Sequence, residues 1–102
     1  MEYMIIVTPA PDEPKRVTRG QVLDALRWLV TRRDAGIIQA NAWSTKGGYV
    51  ILDAASADEA VAFFDDYGLR ATIELEPHRV VSLEDGFAVL LADIEEIGRS
   101  NA

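Results

Sequence analysis

The sequence predicts an α+β fold in which one four-stranded antiparallel sheet carries two helices on one face and an extra helix at the C-terminus. Strand and helix patterns follow one another in the order β-α-β-β-α-β, a Gly-Gly turn joins the two middle strands, and an amphipathic helix pattern follows the last strand. This order is that of the split βαβ, or ferredoxin-like, arrangement. Residues 1–102 are expected to form one domain, because neither half alone would bury enough core.

The first elements are predicted to be a strand, a loop and a helix. Residues 3–8 are rich in strand formers, and the proline-rich residues 9–16 are expected to form a loop. Thr18 and Gln21 have the spacing of a capping box, which marks a helix start. This helix is expected to face the core with one apolar stripe, made of Val22, Leu23, Leu26, Leu29 and Val30.

A hairpin and a second helix come next. Residues 37–44 and 49–54 are expected to be strands joined by Thr45–Gly48, whose glycines tolerate the positive φ of a hairpin turn. Ser56 and Glu59 form a second capping box, and the helix that it opens is expected to end near Gly68. Its expected core-facing residues are Ala57, Val61 and Phe64.

The last strand and the last helix complete the fold. Residues 71–80 alternate like a strand, which we expect at the sheet edge, where Pro77 costs little because its missing N–H faces solvent. Residues 82–98 are predicted to form the C-terminal helix, packed across the other helices or onto another subunit. One side of this helix is apolar, with Leu83, Phe87, Leu90, Leu91, Ile94 and Ile97.

Composition excludes several classes of function. The chain has no cysteine and one histidine, so thiolate chemistry is excluded and neither a metal site nor a cofactor is expected. A net charge of −7 without a basic stripe makes nucleic acid an unsuitable partner. No run reaches membrane-spanning length and no basic leader is present, so a cytoplasmic protein without a membrane partner is expected. Eight arginines against two lysines are typical of a GC-rich bacterial source.

The uncovered face of the sheet is predicted to combine aromatic, apolar and ionisable side chains. Alternation puts Glu74, Glu76 and His78 on that face, because successive strand residues point to opposite sides. The same rule assigns to it the hairpin residues Gln39, Asn41, Trp43, Tyr49 and Ile51. An apolar face of this kind needs a cover, and the sheet of a second subunit would enclose a pocket.

Residues 47–81, GGYVILDAASADEAVAFFDDYGLRATIELEPHRVV, resemble the second half of small dimeric α/β-barrel proteins, particularly the YCII-related and muconolactone-isomerase-like groups. The shared pattern is a strand ending in Asp53, a helix start at Ser56–Ala60, and a Glu-Pro pair in the last strand. The resemblance implies a barrel of two subunits with a small-molecule site, and some relatives isomerise unsaturated lactones. The histidine that YCII-related proteins tend to carry in their first strand is absent from residues 3–8.

The candidate catalytic residues are Glu76 and His78, with Glu74 tuning them. Glu76 and His78 lie two residues apart on one face, within hydrogen-bonding reach, which suits proton abstraction next to a carbonyl. The alternative is an edge strand whose charges discourage aggregation. The candidate ligand-binding residues are Trp43, Tyr49, Asn41 and Gln39, although Trp43 and Tyr49 could instead stabilise the hairpin as cross-strand neighbours.

The leading functional hypothesis is a cofactor-independent homodimer, or higher homo-oligomer, that rearranges an unsaturated or carbonyl compound by proton transfer, as an isomerase or a cyclase does. A non-catalytic small-molecule binding protein would use the same cavity. A structural or interaction subunit would fill that cavity with its own side chains.

Overall fold

The computed structural model describes residues 1–11 and 17–100, so most of the predicted proline-rich loop lies outside the described residues. Its strands and helices are β1 (Glu2–Pro9), α1 (Arg19–Asp34), β2 (Ala40–Ser44), β3 (Gly47–Asp53), α2 (Ala57–Ala62), β4 (Ile73–Arg79) and α3 (Leu83–Ser100). A single 3-10 turn at Arg70–Thr72 leads into β4. Helix α2 ends at Ala62, earlier than the predicted end near Gly68.

The four strands form one open antiparallel sheet in the order β2-β3-β1-β4. The described residues therefore form an α+β structure with one sheet and three α-helices, and this arrangement is compatible with the predicted ferredoxin-like layout. Strand β4 lies at an edge, as predicted. Val80 donates its N–H to the Glu2 carbonyl, so the alternating ladder turns the nitrogen of Pro77 away from β1. The proline therefore breaks no hydrogen bond of the sheet.

The core lies between one face of the sheet and the helices α1 and α2. Tyr3, Ile5 and Val7 are buried there, which fixes the phase of β1 that its sequence, apolar on both faces, leaves undecided. The other buried members of this core are Ile38, Val50, Leu52, Ala54, Ala60 and Phe64. Phe64 has no exposed surface, as expected for a residue predicted to face the core.

Helix α1 turns only part of the predicted stripe to the core: Leu29 packs against the core, but most of the stripe does not. Ala25 is buried and Trp28 packs against the core, whereas Val22, Leu23 and Leu26 are 36–54% exposed. The ring of Trp28 lies 5.1 Å from that of Phe63 and 5.5 Å from that of Phe64. Aromatic side chains bury more area than aliphatic ones and gain further from ring contacts, so Trp28 determines the rotation of the helix.

The contact of α1 with α2 is completed by Arg32. Its guanidinium lies 3.7 Å from the centre of the Trp28 ring and donates a hydrogen bond to Asp66 at 3.2 Å. The Trp28 Nε1 atom, by contrast, is buried without a hydrogen-bond partner among the described residues. The ion pair therefore ties α1 to the turn that follows α2, while the cation covers the ring of Trp28 on its own helix.

Helix α3 projects from the rest of the chain. Its side chains from Leu83 to Arg99 are all exposed, and its six predicted apolar-face residues are 52–71% exposed. The radius of gyration is 17.2 Å, against about 13 Å for a compact domain of this length. Of the two expected placements of α3, packing across α1 and α2 is therefore wrong, whereas packing onto another subunit stays a prediction.

The hairpin loop is two residues shorter than predicted, because β3 begins at Gly47. Thr45 and Lys46 form the loop, while Gly47 and Gly48 belong to β3. Gly47 has a φ of 120°, and a Cβ there would clash with the carbonyl of Val7 on β1. At Gly48 a Cβ would lie 2.6 Å from the ring of Trp43. The glycine pair therefore permits close approach of β1 and of the tryptophan rather than forming the loop itself.

Candidate functional site

The face of the sheet opposite α1 and α2, here called the open face, carries an ordered set of side chains. Its centre is apolar and is formed by Met4 and Ile6 of β1 with Tyr49 and Ile51 of β3. All four are partly exposed, whereas their strand neighbours on the other face are buried. Ala40 and Ala42 continue this surface onto β2. These six side chains, small on β2 and larger on β1 and β3, form a shallow apolar surface, here called the apolar floor.

Ionisable side chains line the β4 edge of this floor. His78 pairs with Met4, Glu76 with Ile6 and Glu74 with Thr8, so the predicted catalytic residues lie beside the apolar centre on one face. His78 Nε2 lies 3.3 Å from Glu76 Oε1. The side chains of His78 and Glu76 are 48% and 70% exposed, so solvent reaches both groups in the isolated chain.

Such an edge can hold and move a proton. A carboxylate in contact with an imidazole fixes the orientation of the ring and stabilises the imidazolium after proton uptake. Glu74 lies two residues before Glu76 on β4, on the same face of the sheet, and adds a second carboxylate to this edge. A substrate lying on Met4 and Ile6 would have its polar end at this edge.

Two of the four predicted ligand-binding residues lie on the other face of the sheet. Asn41 pairs with the buried Val50, and Trp43 pairs with Gly48, so both point to the side of α1. The predicted face of Asn41 and Trp43 is wrong because the alternation breaks just before β2: Gln39 donates its N–H to the Ile51 carbonyl, and Ala40 is also the register partner of Ile51. Two residues facing one is the arrangement of a β-bulge, which shifts every later side chain of the strand to the opposite face.

Gln39 and Tyr49 are found at the open face as predicted. Tyr49 lies at its centre beside Ile6. Gln39 precedes the bulge, and its amide donates a hydrogen bond of 2.9 Å to the carboxylate of Asp53. Asp53 in turn pairs with Glu2, so one end of the floor is bordered by polar side chains.

A depression of about 370 Å³ lies at the hairpin end of the sheet, next to the floor. Ile6 and Tyr49 belong to both, and the depression continues to Thr8, Ser44 and Lys46. Ile6 is also the register partner of Glu76. A small molecule lying along this depression could therefore contact the tyrosine ring and approach the ionisable edge.

A second concave surface, here called the α1–β2 groove, lies on the helix side of the sheet. It has a volume of about 300 Å³ and is lined by Leu26, Leu29, Val30, Arg33, Ile38, Asn41, Trp43 and Val50. Asn41 accepts a hydrogen bond of 3.0 Å from the indole N–H of Trp43, which fixes the ring across the groove. The groove is mostly apolar and contains neither Glu76 nor His78, so we separate it from the open face.

The prediction missed two features, and only the first of them has a signal in the sequence. Met4 and Ile6 form the floor, and the apolar character of β1 on both faces is the signal for it. The groove has no signal of its own, because it depends on the bulge before β2 and on the rotation of α1.

Neither a metal centre nor a membrane span is found within residues 1–11 and 17–100. No three His, Asp or Glu side chains of these ranges lie close enough to hold an ion. No helix there is long and apolar enough to cross a bilayer. Burial raises the pKa of Tyr67, but this phenol belongs to the ring cluster between α1 and α2 and not to the open face.

Comparison with known proteins adds no family to this description. The chain matches no protein-family model, and no curated protein is significantly similar to it in sequence. Fold and site define the class: an α+β protein whose open sheet face carries a carboxylate–imidazole pair beside an apolar floor.

Proposed function

We propose that two copies of the chain join their open faces into a dimeric α/β barrel that binds a small unsaturated or carbonyl compound and rearranges it by proton transfer. The observation that carries the proposal is the contact of 3.3 Å between Glu76 and His78 at the border of an apolar floor. A site of this kind combines hydrophobic area for binding with a few polar groups that orient the ligand.

The need for a cover supports the dimer. Met4, Ile6, Tyr49 and Ile51 form a continuous apolar surface at the centre of the open face, and soluble monomers rarely leave such a surface to water. A second sheet related by a two-fold axis covers it with an identical surface. Sheets pack about 10 Å apart, which leaves room for a flat ligand where the facing residues are small, as at Ala40 and Ala42.

The proposed chemistry uses the pair as a proton carrier. The neutral imidazole of His78 takes a proton from the carbon next to a carbonyl, the C–H bond breaks and its electrons form an enolate. Glu76 stabilises the imidazolium. The same imidazolium returns the proton to another carbon, which moves the double bond without a net change in protons or electrons. Tyr49 would pack against the ligand, and Gln39 with Asp53 would border its far end.

The test measures proton transfer directly. The protein is incubated in D₂O with a panel of unsaturated lactones and cyclic enones, and deuterium in substrate and product is followed by NMR. Glu76→Gln and His78→Ala are each expected to lower kcat by roughly 10²–10⁴-fold, the usual contribution of a positioned acid or base. Asp58→Asn is the matched control, because Asp58 is an exposed carboxylate on α2.

Three other outcomes would contradict parts of the proposal. Turnover that survives both substitutions contradicts the role of the pair. Saturable binding of a panel compound or of a co-purified molecule without deuterium exchange would indicate the non-catalytic binding protein instead. A protein that remains monomeric at high concentration would refute the barrel.

A further inference from the structure

We propose that helix α3 of one copy binds in the α1–β2 groove of a second copy. Within residues 1–11 and 17–100, two apolar surfaces are left without a partner, and they match each other in length and charge. The inference concerns the helix side of the sheet and does not depend on the chemistry proposed for the open face.

The first surface is the apolar face of α3. Leu83, Phe87, Leu90 and Ile94 recur at three- and four-residue spacing on one side of the helix, and Leu91 and Ile97 border them. All six are more than half exposed. A helix that exposes this face along its whole length is not stabilised by packing within its own chain, and packing supplies most helical stability in proteins.

The second surface is the part of α1 that the rotation around Trp28 leaves free. Val22, Leu23 and Leu26 are exposed in a row that continues into the α1–β2 groove at Val30. Trp43, which is 45% exposed, forms the opposite wall. The row and the groove together give a helix-shaped apolar channel along α1.

Charge and length agree between the two surfaces. The row on α1 has Arg19 at one end and Arg33 at the other, fourteen residues or about 21 Å apart along the helix. The apolar face of α3 from Leu83 to Ile97 has the same length of about 21 Å. The acidic side chains of Glu84, Asp93 and Glu95 border that face. In the isolated chain Arg33 forms an ion pair with Asp34, and Glu95 forms one with Arg99.

The area is sufficient for a stable complex. Six apolar side chains of about 100 Å² each, a little over half exposed, would remove roughly 350 Å² from water on one helix. Counting the receiving channel and the reciprocal site of a symmetric dimer, the total is on the order of 1,400 Å², within the range of about 1,200–2,000 Å² for stable interfaces.

The partner is a second copy because α3 cannot reach its own groove. Val80 is held in the sheet by its bond to Glu2, and Ser82 caps α3 by accepting the N–H of Asp85 at 3.1 Å, so only Val81 separates strand from helix. The groove lies at β2, the opposite edge of the sheet. Helix α2, which packs on β4 and β1, lies between the start of α3 and that groove.

Cysteine cross-linking tests the proposal directly, because the natural chain has no cysteine. Leu26→Cys and Ile94→Cys are prepared as separate single variants of different mass, mixed, and treated with a short bis-maleimide reagent. Both positions are exposed in the isolated chain, so both variants are expected to fold. The expected product is the mixed dimer of the two variants. Ala92→Cys, on the opposite side of α3, is the matched control and should give only background.

Association measurements give a second readout. Ile94→Asp is expected to raise the Kd of self-association by at least about thirtyfold, the effect of losing an interface hot spot, whereas Ala92→Asp should leave it unchanged. A mixed cross-link that equals the Ala92→Cys background overturns the proposal. So does a cross-link confined to single chains in the double variant Leu26→Cys/Ile94→Cys, or a product formed between two Ile94→Cys chains in preference to the mixed one.

Discussion

Replacing Phe64 by Ala should remove a large part of the stability of this chain. Phe64 has no exposed surface and its ring lies 5.3 Å from Phe63, 5.5 Å from Trp28 and 5.7 Å from Tyr67. Phe→Ala in a core costs about 3–5 kcal/mol, and for Phe64 with its three ring contacts we expect about 4 kcal/mol, the middle of this range. The total for a domain of this size is about 5–15 kcal/mol.

The assay is urea unfolding followed by circular dichroism at a protein concentration where the chain is monomeric. The midpoint should fall while the slope of the free energy with urea stays constant, since the surface exposed on unfolding hardly changes. The melting temperature should fall by roughly 15–30 °C.

Phe87→Ala is the matched control, since it makes the same chemical change on α3, where Phe87 is 57% exposed. Its effect in the monomer should stay within about 0.5 kcal/mol. Losses of similar size for Phe64→Ala and Phe87→Ala in the monomer would refute the assignment of the core to the sheet, α1 and α2.

Three further changes test local features. Thr18→Ala removes the 3.1 Å hydrogen bond that the Thr18 hydroxyl accepts from the Gln21 N–H, and should cost about 1 kcal/mol in urea unfolding, with Thr18→Ser nearly neutral. Gly48→Ala places a Cβ 2.6 Å from the ring of Trp43 and should cost about 1–3 kcal/mol of unfolding free energy. Gly68→Ala, whose Cβ meets no described atom within 4 Å, is the control and should cost little. Equal losses for the two variants would contradict the close approach at Gly48. Burial raises the pKa of Tyr67 above 10.0, so the folded chain holds a proton that the unfolded chain releases. This contribution is complete below pH 10 and is lost as pH rises through the folded pKa; the loss should be absent in Tyr67→Phe, as measured by unfolding from pH 9 to 12.

Local signals in the sequence predict the order of elements and their starts. The capping side chains of Thr18, Ser56 and Ser82 each accept a backbone hydrogen bond three residues later, because a cap needs only short-range chemistry. Pro77 indicates an edge strand for the same reason, since its missing donor excludes an interior position. The alternation of β4 then places Glu74, Glu76 and His78 together on the open face.

Long-range packing decides what the sequence does not reveal. The bulge at Gln39 depends on how β2 meets β3, and it moves Asn41 and Trp43 to the helix side without any change in their spacing. The rotation of α1 depends on Trp28 meeting Phe63 and Phe64 directly after α2, which hydrophobic periodicity cannot anticipate when two sides of the helix are apolar. Both errors concern the face that an element presents and not the type of element.

The outward nitrogen of Pro77 makes the two margins of the sheet chemically unequal. A strand arriving at β4 would meet a position that offers no N–H, flanked by Glu76 and His78, and fibril-like growth from that side is disfavoured. The other margin, Ala40–Ser44, carries no charge and no proline. Polymers that grow by pairing of β-strands would therefore form at the β2 edge. Ala42→Lys is the substitution that would protect this edge.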